Sequence, residues 1–306
     1  MASKQQERKA RYDAECKQVL SEKGILAQIL KDCTEEFCNC STYDIVNKYI
    51  QGSPEVGKVT VMLGETKIES THVEDKSAIE GTVFFDIRFN AVAPVDGKLI
   101  RLIVNIEAQN EFHPGYPILK RAVFYGCRMI SSQYGTVFVK AEYGKIEKVY
   151  TIWVCMEPTE EWAYTITRYH MQEENVVGNA KAPKADYDLI TPVLVCLGTK
   201  KYTELQGVLR MLNLLFVDNV SKDEKVETLR QDFGIQTTPK LEKGVAEMCN
   251  LSEGIEKRGI ERGREEGRKD TILAMLKHGI PTDTIAQIVG WTNEKVRELG
   301  RVNGIL

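Results

Sequence analysis

Two stretches near the middle of the chain alternate apolar and polar side chains. Val83, Phe85, Ile87 and Phe89 share one parity in the first, and Ile100, Leu102, Val104, Ile106 and Ala108 share one in the second. A period of two is the mark of a half-buried strand, so strands are expected over 83–92 and 100–109. Asp96-Gly97 lies between them and is a strong signal for a two-residue hairpin turn.

Around this hairpin the period changes. Residues 4–33 read as one charged helix that becomes amphipathic, with Val19, Leu20, Ile25, Leu26, Ile29 and Leu30 near helical spacing. A second helix is expected from Thr42 to Ile50, broken by Gln51-Gly52-Ser53-Pro54, and residues 53–79 read as a long polar loop. Pro117 opens a helix that runs to about Gln133. Strands are then expected over 136–143 and 146–155, joined at Gly144-Lys145, with another over 162–170. Val193 to Leu197 reads as a buried strand, with Pro192 arguing for an edge or a strand start. Tyr202 to Phe216 reads as an apolar helix. This alternation predicts an α/β (α+β layered) domain over residues 1–251, a central mixed β-sheet flanked by helices.

The texture changes near Ser252. Residues 252–270 form a charged near-repeat with Gly254, Gly259, Gly263 and Gly267. Such a segment is either a solvated tether or a marginal helix that needs a partner, since glycine costs about 1 kcal/mol per helical position. Residues 271–306 predict a small helical unit. Ile272, Met275 and Leu276 mark its first helix, Ile285, Ile288 and Val289 its second, and Val296 and Leu299 its third, capped by Thr292. The second helix and its turn have a helix-turn-helix layout.

Register gives the central hairpin its chemical interest. If Asp96-Gly97 is the loop and Val95 opposes Lys98, then Asp86 opposes Glu107, Arg88 opposes Asn105 and Phe84 opposes Gln109. The apolar faces then coincide, and so do the polar ones, which puts both carboxylates on one face. A bulge near Pro94 is the one expected irregularity. Opposed carboxylates repel and weaken a sheet, which a cation between them would relieve. Hard oxygen ligands suit Mg²⁺ or Mn²⁺, ions that keep waters and accept phosphate oxygens. The alternative is a solvated sheet face on which Asp86 pairs with Arg88 or Arg101.

Bulk composition adds little to this. The formal net charge of −3 provides no global basic field, so a nucleic-acid partner needs a local patch. Eight cysteines are scattered; Cys33, Cys38 and Cys40 lie close together without a matching pair at zinc spacing. The first residues lack the apolar segment of a secretory signal and no apolar run is long enough to span a bilayer, so a cytoplasmic protein without a membrane partner is expected. A phosphate-cradling glycine loop and a nucleophile elbow are absent from the sequence, which argues against a small-molecule enzyme.

Glu80-Gly81-Thr82-Val83-Phe84-Phe85-Asp86-Ile87-Arg88-Phe89, Asn105-Ile106-Glu107-Ala108-Gln109 and Asn110-Glu111-Phe112-His113-Pro114-Gly115-Tyr116-Pro117 together resemble the PD-(D/E)xK nuclease family transposases, relatives of the recombination-promoting nucleases of bacteria. The likeness continues through residues 121–133, the early Leu20–Ala27 helix and the glycine-repeat tail. It implies a restriction-endonuclease-like core acting on DNA, with Mg²⁺ or Mn²⁺ held by Asp86 and Glu107 and with Gln109 at the third motif position. That superfamily usually carries lysine there; glutamine can orient a water or touch a phosphate but has no charge.

Arg121, Tyr125 and Arg128 follow at i, i+4 and i+7 on one helical face, where they would contact phosphate or lie on a solvated surface. Glu80 and Lys23 are candidates for the site border. Two functions therefore compete: a metal-dependent DNA endonuclease of recombination or transposition, and a nuclease-derived DNA-binding or oligomeric interaction protein whose site has decayed. The glycine tail points to a homo-oligomer.

Overall fold

A computed structural model describes residues 4–59, 75–77, 81–83, 85–95 and 97–305. Two units emerge, one over Lys9–Cys249 and one built mainly from Asn250–Leu306.

The first helices are α1 (Lys4–Leu20), most of which belongs to the larger unit, and α2 (Lys23–Cys33). The expected single helix is broken at Ser21-Glu22, where the Ser21 hydroxyl bonds the Gln18 carbonyl. α3 (Thr42–Asp44) is capped by Ser41 and runs into a π-helical turn, Ile45–Tyr49. β1 (Ile50–Val59) follows directly. Residues 53–59 are thus strand and not loop. β1 is a polar edge strand that pairs irregularly, so it has no hydrophobic period to betray it, and an edge tolerates Pro54. β2 (Asp75–Ser77) and β3 (Gly81–Val83) make a separate small hairpin.

The central hairpin is β4 (Phe85–Val95) and β5 (Lys98–Glu111). Asp96, Phe84 and Glu80 lie outside the described residues. Gly97 has φ +75°, a conformation that glycine adopts without strain. Pairing runs without a break from Val95↔Lys98 through Pro94↔Leu99 to Ile87↔Ile106, with no bulge at Pro94. α4 (Ile118–Ser131) crosses over to β6 (Lys148–Glu157), parallel to β5.

Residues 136–143 do not form the expected strand. The chain must turn back from α4 to the start of β6, and Gln133 staples that reversal. Its side chain donates to the Glu147 carbonyl at 2.8 Å and accepts from the Glu147 amide at 2.7 Å.

β7 (Thr165–Arg168), α5 (Lys184–Tyr187) and β8 (Ile190–Cys196) complete the sheet in the order β1-β4-β5-β6-β8-β7. β8 lies inside the sheet. The β7 ladder ends at Arg168↔Val193, and Pro192, one step beyond, takes only the acceptor half of the next step, its carbonyl receiving the Tyr169 amide at 2.9 Å. α6 (Gly207–Phe216) and α7 (Lys222–Phe233) follow, the first preceded by a short 3₁₀ turn at Tyr202–Glu204.

Helices cover both faces. On one, Leu26, Ile29 and Leu30 of α2 and Met211 and Leu212 of α6 pack in a single core with Ile87, Phe89, Leu102, Val104 and Ile106. On the other, Ala122, Tyr125 and Met129 of α4 pack over Ile103, Val149, Trp153 and Leu194. The mixed sheet with flanking helices matches the layered α/β class.

α8 (Pro239–Lys277) is one helix of 39 residues that includes the whole glycine repeat. Within the smaller unit, α9 (Thr282–Val289) ends at Gly290 in the left-handed region, and α10 (Asn293–Val302) begins at Thr292, whose hydroxyl accepts from the Lys295 amide. Ile272, Leu276, Ile285, Ala286 and Val296 form its core.

Gly126 allows α4 to sit close on β8: a Cβ there would lie 2.5 Å from Ile190 Cγ2. Relieving that overlap costs about 1–3 kcal/mol, against a helix-propensity gain of about 1 kcal/mol. Gly126→Ala is expected to lower stability by roughly 1 kcal/mol in urea denaturation; a stabilised variant would mean that this contact is loose.

Candidate active site

The ladder between β4 and β5 stops at Ile87↔Ile106, and side chains take over the next step. The Asp86 amide donates to Glu107 Oε1 at 3.0 Å, and the Ala108 amide donates to Asp86 Oδ2 at 3.1 Å. Each carboxylate thus accepts from a main-chain amide of the opposite strand.

A bulge explains why the strands open here. Between Val56↔Ile87 and Val59↔Phe85, β1 spends one residue more than β4. Phe85 packs on the α4 side, its ring 5.2 Å from that of Tyr125, whereas Ile87 and Phe89 belong to the opposite core. Residues two apart in a regular strand share a face. Alternation therefore fails across Asp86, and the expectation that Phe85 shares a face with Ile87 is corrected. Opening of the ladder, rather than a shared polar face, brings Asp86 and Glu107 together.

Different layers attend the two acids. Lys17 of α1 reaches Asp86 Oδ1 at 2.8 Å and Asp13 at 2.6 Å. Burial works to lower the Lys17 pKa, but hydrogen bonds to Asp13 and Asp86 outweigh it and raise the value, so this ammonium stays charged. Burial raises the pKa of Asp86, with Lys17 opposing. Arg101, one alternative partner of Asp86, pairs instead with Glu147. Lys23, a candidate for the site border, is the first residue of α2.

Glu107 is only 4% exposed and accepts a second bond, from Asn105 Nδ2 at 3.0 Å. Burial, then repulsion from Asp86, pushes its pKa up to about 8, although Asn105, the Asp86 amide and Arg121 favour the charged form. Arg121 is tied down by tyrosines: Nε and Nη2 donate to Tyr125 Oη at 3.0 and 2.6 Å, and Nη1 donates to Tyr116 Oη at 2.5 Å. Its guanidinium also lies 5.2 Å from the Trp153 ring centre. Arg128 lies two turns along the same helix and is 5% exposed, buried rather than presented to solvent. Gln109 remains in β5, paired with Cys155 of β6.

The structure thus brings together Asp86, Glu107, Arg121 and Tyr125, and adds Lys17, Asp13, Asn105 and Tyr116. Asn105 is legible in the sequence, two residues before Glu107 and so on the same strand face. Nothing in the sequence ties Lys17 to Asp86, because only packing of α1 brings them together.

The pair offers hard oxygen donors of the type a small divalent ion takes, although Lys17, Asn105 and two main-chain amides already bond them. Burial of two neighbouring acids, more than repulsion between them, disfavours their charged forms, and a cation beside them would offset that cost. Among the described residues no group of three or more His, Cys, Asp and Glu side chains is placed to hold a metal. Two carboxylates would leave most of the coordination shell to water and phosphate, the usual habit of Mg²⁺. Comparison with protein-family models, with curated proteins and with solved structures finds no match to this chain. No helix among the described residues is long and apolar enough to cross a membrane.

The shift at Glu107 has a direction that can be measured. A carboxyl whose folded pKa is about 8, against an ordinary 4.5, keeps its proton in the folded state after the unfolded chain has lost it. Stability falls as pH rises between those values, by at most about 1.4 kcal/mol per pH unit from this group. In metal-free buffer Glu107→Gln should flatten the decline in urea midpoint from pH 5 to 8. An unchanged slope would mean that Glu107 ionises normally.

Proposed function

We propose that the chain is a metal-dependent nuclease-type phosphodiesterase acting on DNA, in the setting of recombination or transposition that its sequence resemblance implies. One observation carries this reading: Asp86 and Glu107 come together where the ladder opens, Lys17 paired to Asp86 and the Arg121 charge favouring an ionised Glu107. Asp86 and Glu107 would hold Mg²⁺ or Mn²⁺. When bound, the ion would lower the pKa of a water and offset charge building on the phosphate.

The chain's own groups do the rest. Arg121, pre-oriented by Tyr116 and Tyr125, would fix a phosphate oxygen through its remaining N–H groups. Asn105 and the Asp86 amide hold Glu107 in place. Gln109 would orient a water without acting as a base. Lys17 provides, from α1, a positive charge that Gln109 cannot.

The second reading, a nuclease-derived binding protein with a decayed site, draws support from the same ammonium. A cation already lies 2.8 Å from Asp86, and position 109 is uncharged. Metal titration of the wild type and of Asp86→Ala separates the two. Cleavage of supercoiled or single-stranded DNA should require Mg²⁺ or Mn²⁺, cease in EDTA, and drop at least about 100-fold in Asp86→Ala and in Glu107→Ala. Cleavage that persists in EDTA, or in either variant, places the chemistry elsewhere.

Self-association through the tail belongs to this proposal. Four glycines weaken the α8 segment 252–270 as an isolated helix, and an identical chain is the obvious partner. The terminal unit is a weaker candidate for reading DNA. Lys295 lies 4.1 Å from the Trp291 ring centre and Arg297 bonds Thr282, so two of α10's basic side chains are engaged within the unit. Glu294 and Glu298 offset them further. Truncation after Leu251 leaves residues 9–249 intact and should lower the mass seen by light scattering. If the mass holds and DNA affinity falls, the tail is a DNA-binding appendage.

A further inference from the structure

A cavity of about 510 Å³ lies just past the end of β5, lined by Phe112, His113, Tyr116, Pro117, Trp162 and Leu194 among others. That volume is within the range of small-molecule sites. Rings form part of its wall, beside Ile118, Leu119 and Leu194: Phe112 lies 5.7 Å from Trp162, tilted by 46°, and 5.2 Å from His113 in an edge arrangement. The site chemistry described above does not use it.

Two covalent and bonded links tie this cavity to the carboxylates. Phe112 follows directly on β5, three residues after Gln109. Tyr116, on the cavity wall, accepts from Arg121 Nη1, and the same guanidinium lies 5.2 Å from the ring centre of Trp153, the residue that pairs with Glu107 across β5 and β6. One guanidinium therefore stands between the aromatic cavity wall and the strand that carries Glu107.

We propose that this chamber receives an unstacked nucleobase of the substrate strand, next to the phosphate that Arg121 and the acid pair engage. The inference rests on the nuclease reading and deepens it by naming the form of the substrate. A nucleotide joins a flat π-face to an anion, and this site joins flat aromatic walls to a guanidinium. An aliphatic ligand would leave Arg121 unused. A base paired within a duplex cannot offer its face to the chamber, so the preferred substrate is single-stranded or locally unpaired DNA. A wall of rings and aliphatic groups that includes, among the described residues, no Lys, Arg, Asp or Glu selects for a base face more than for base identity.

The test measures binding by the full-length protein in metal-free buffer, where no cleavage intervenes. Three fluorescent probes share one length: a single strand, its duplex, and a single strand carrying abasic sites along its length. The single strand should bind most tightly. Trp162→Ala and the milder Phe112→Leu should each weaken it, by about 5- to 150-fold for the loss of a stacking partner, and leave the abasic strand's affinity unchanged. Circular dichroism confirms that each variant is folded, with Phe112→Leu retained if Trp162→Ala is not.

Equal affinity for the abasic and base-bearing strands overturns the proposal, as does equal weakening of both by the variants. Metal-dependent cleavage lost in Asp86→Ala, measured in parallel, reports on the nuclease reading alone. If it survives while base dependence is absent, only the chamber's assignment falls.

Discussion

Burial of two neighbouring acids is the constraint that the surroundings of this site answer. Asp86 and Glu107 stand on neighbouring strands, both largely withdrawn from water, and such a pair costs stability unless other groups hold it. Each acid takes a main-chain amide from the opposite strand, so the unpaired end of the ladder does not go unsatisfied. Lys17 then compensates Asp86, while burial pushes the Glu107 pKa up. Both helical layers are needed for this, since α1 delivers the ammonium and α4 the guanidinium.

Much of the sheet was legible because its signals are local. Asp96-Gly97 and the alternation on either side of it specify the β4–β5 register, and the structure follows that register from Val95↔Lys98 to Ile87↔Ile106. α4 was legible from Pro117 and its apolar face. β1 was not, because an irregular polar edge strand buries too little to leave a period. Residues 136–143 misled in the opposite way: their apolar side chains alternate, but a long-range bond pair from Gln133 holds them in a turn.

The site divides along the same line. Glu107 and Asn105 could be paired by counting along one strand, and Arg121 with Tyr125 by counting along one helix. The turning-over of β4 at Asp86 could not be counted, since it depends on an extra residue in β1, some thirty positions earlier in the chain. Lys17 was equally out of reach, for its role arises only when α1 docks. Sequence patterns report what neighbours share, whereas this site is assembled from elements that are distant along the chain.

The two-residue turn at Gly97 has a consequence for how the hairpin tolerates change. From Ile87 to Ile106 every opposed pair is fixed by counting outward from that turn. Substitution within this stretch alters packing by degrees. Insertion or deletion of a single residue in either strand shifts every later pair and carries Glu107 away from Asp86. Loops elsewhere in the chain can lengthen with little effect on the acids. Here the number of residues is the protected quantity, and a one-codon change of length would do what most single replacements cannot.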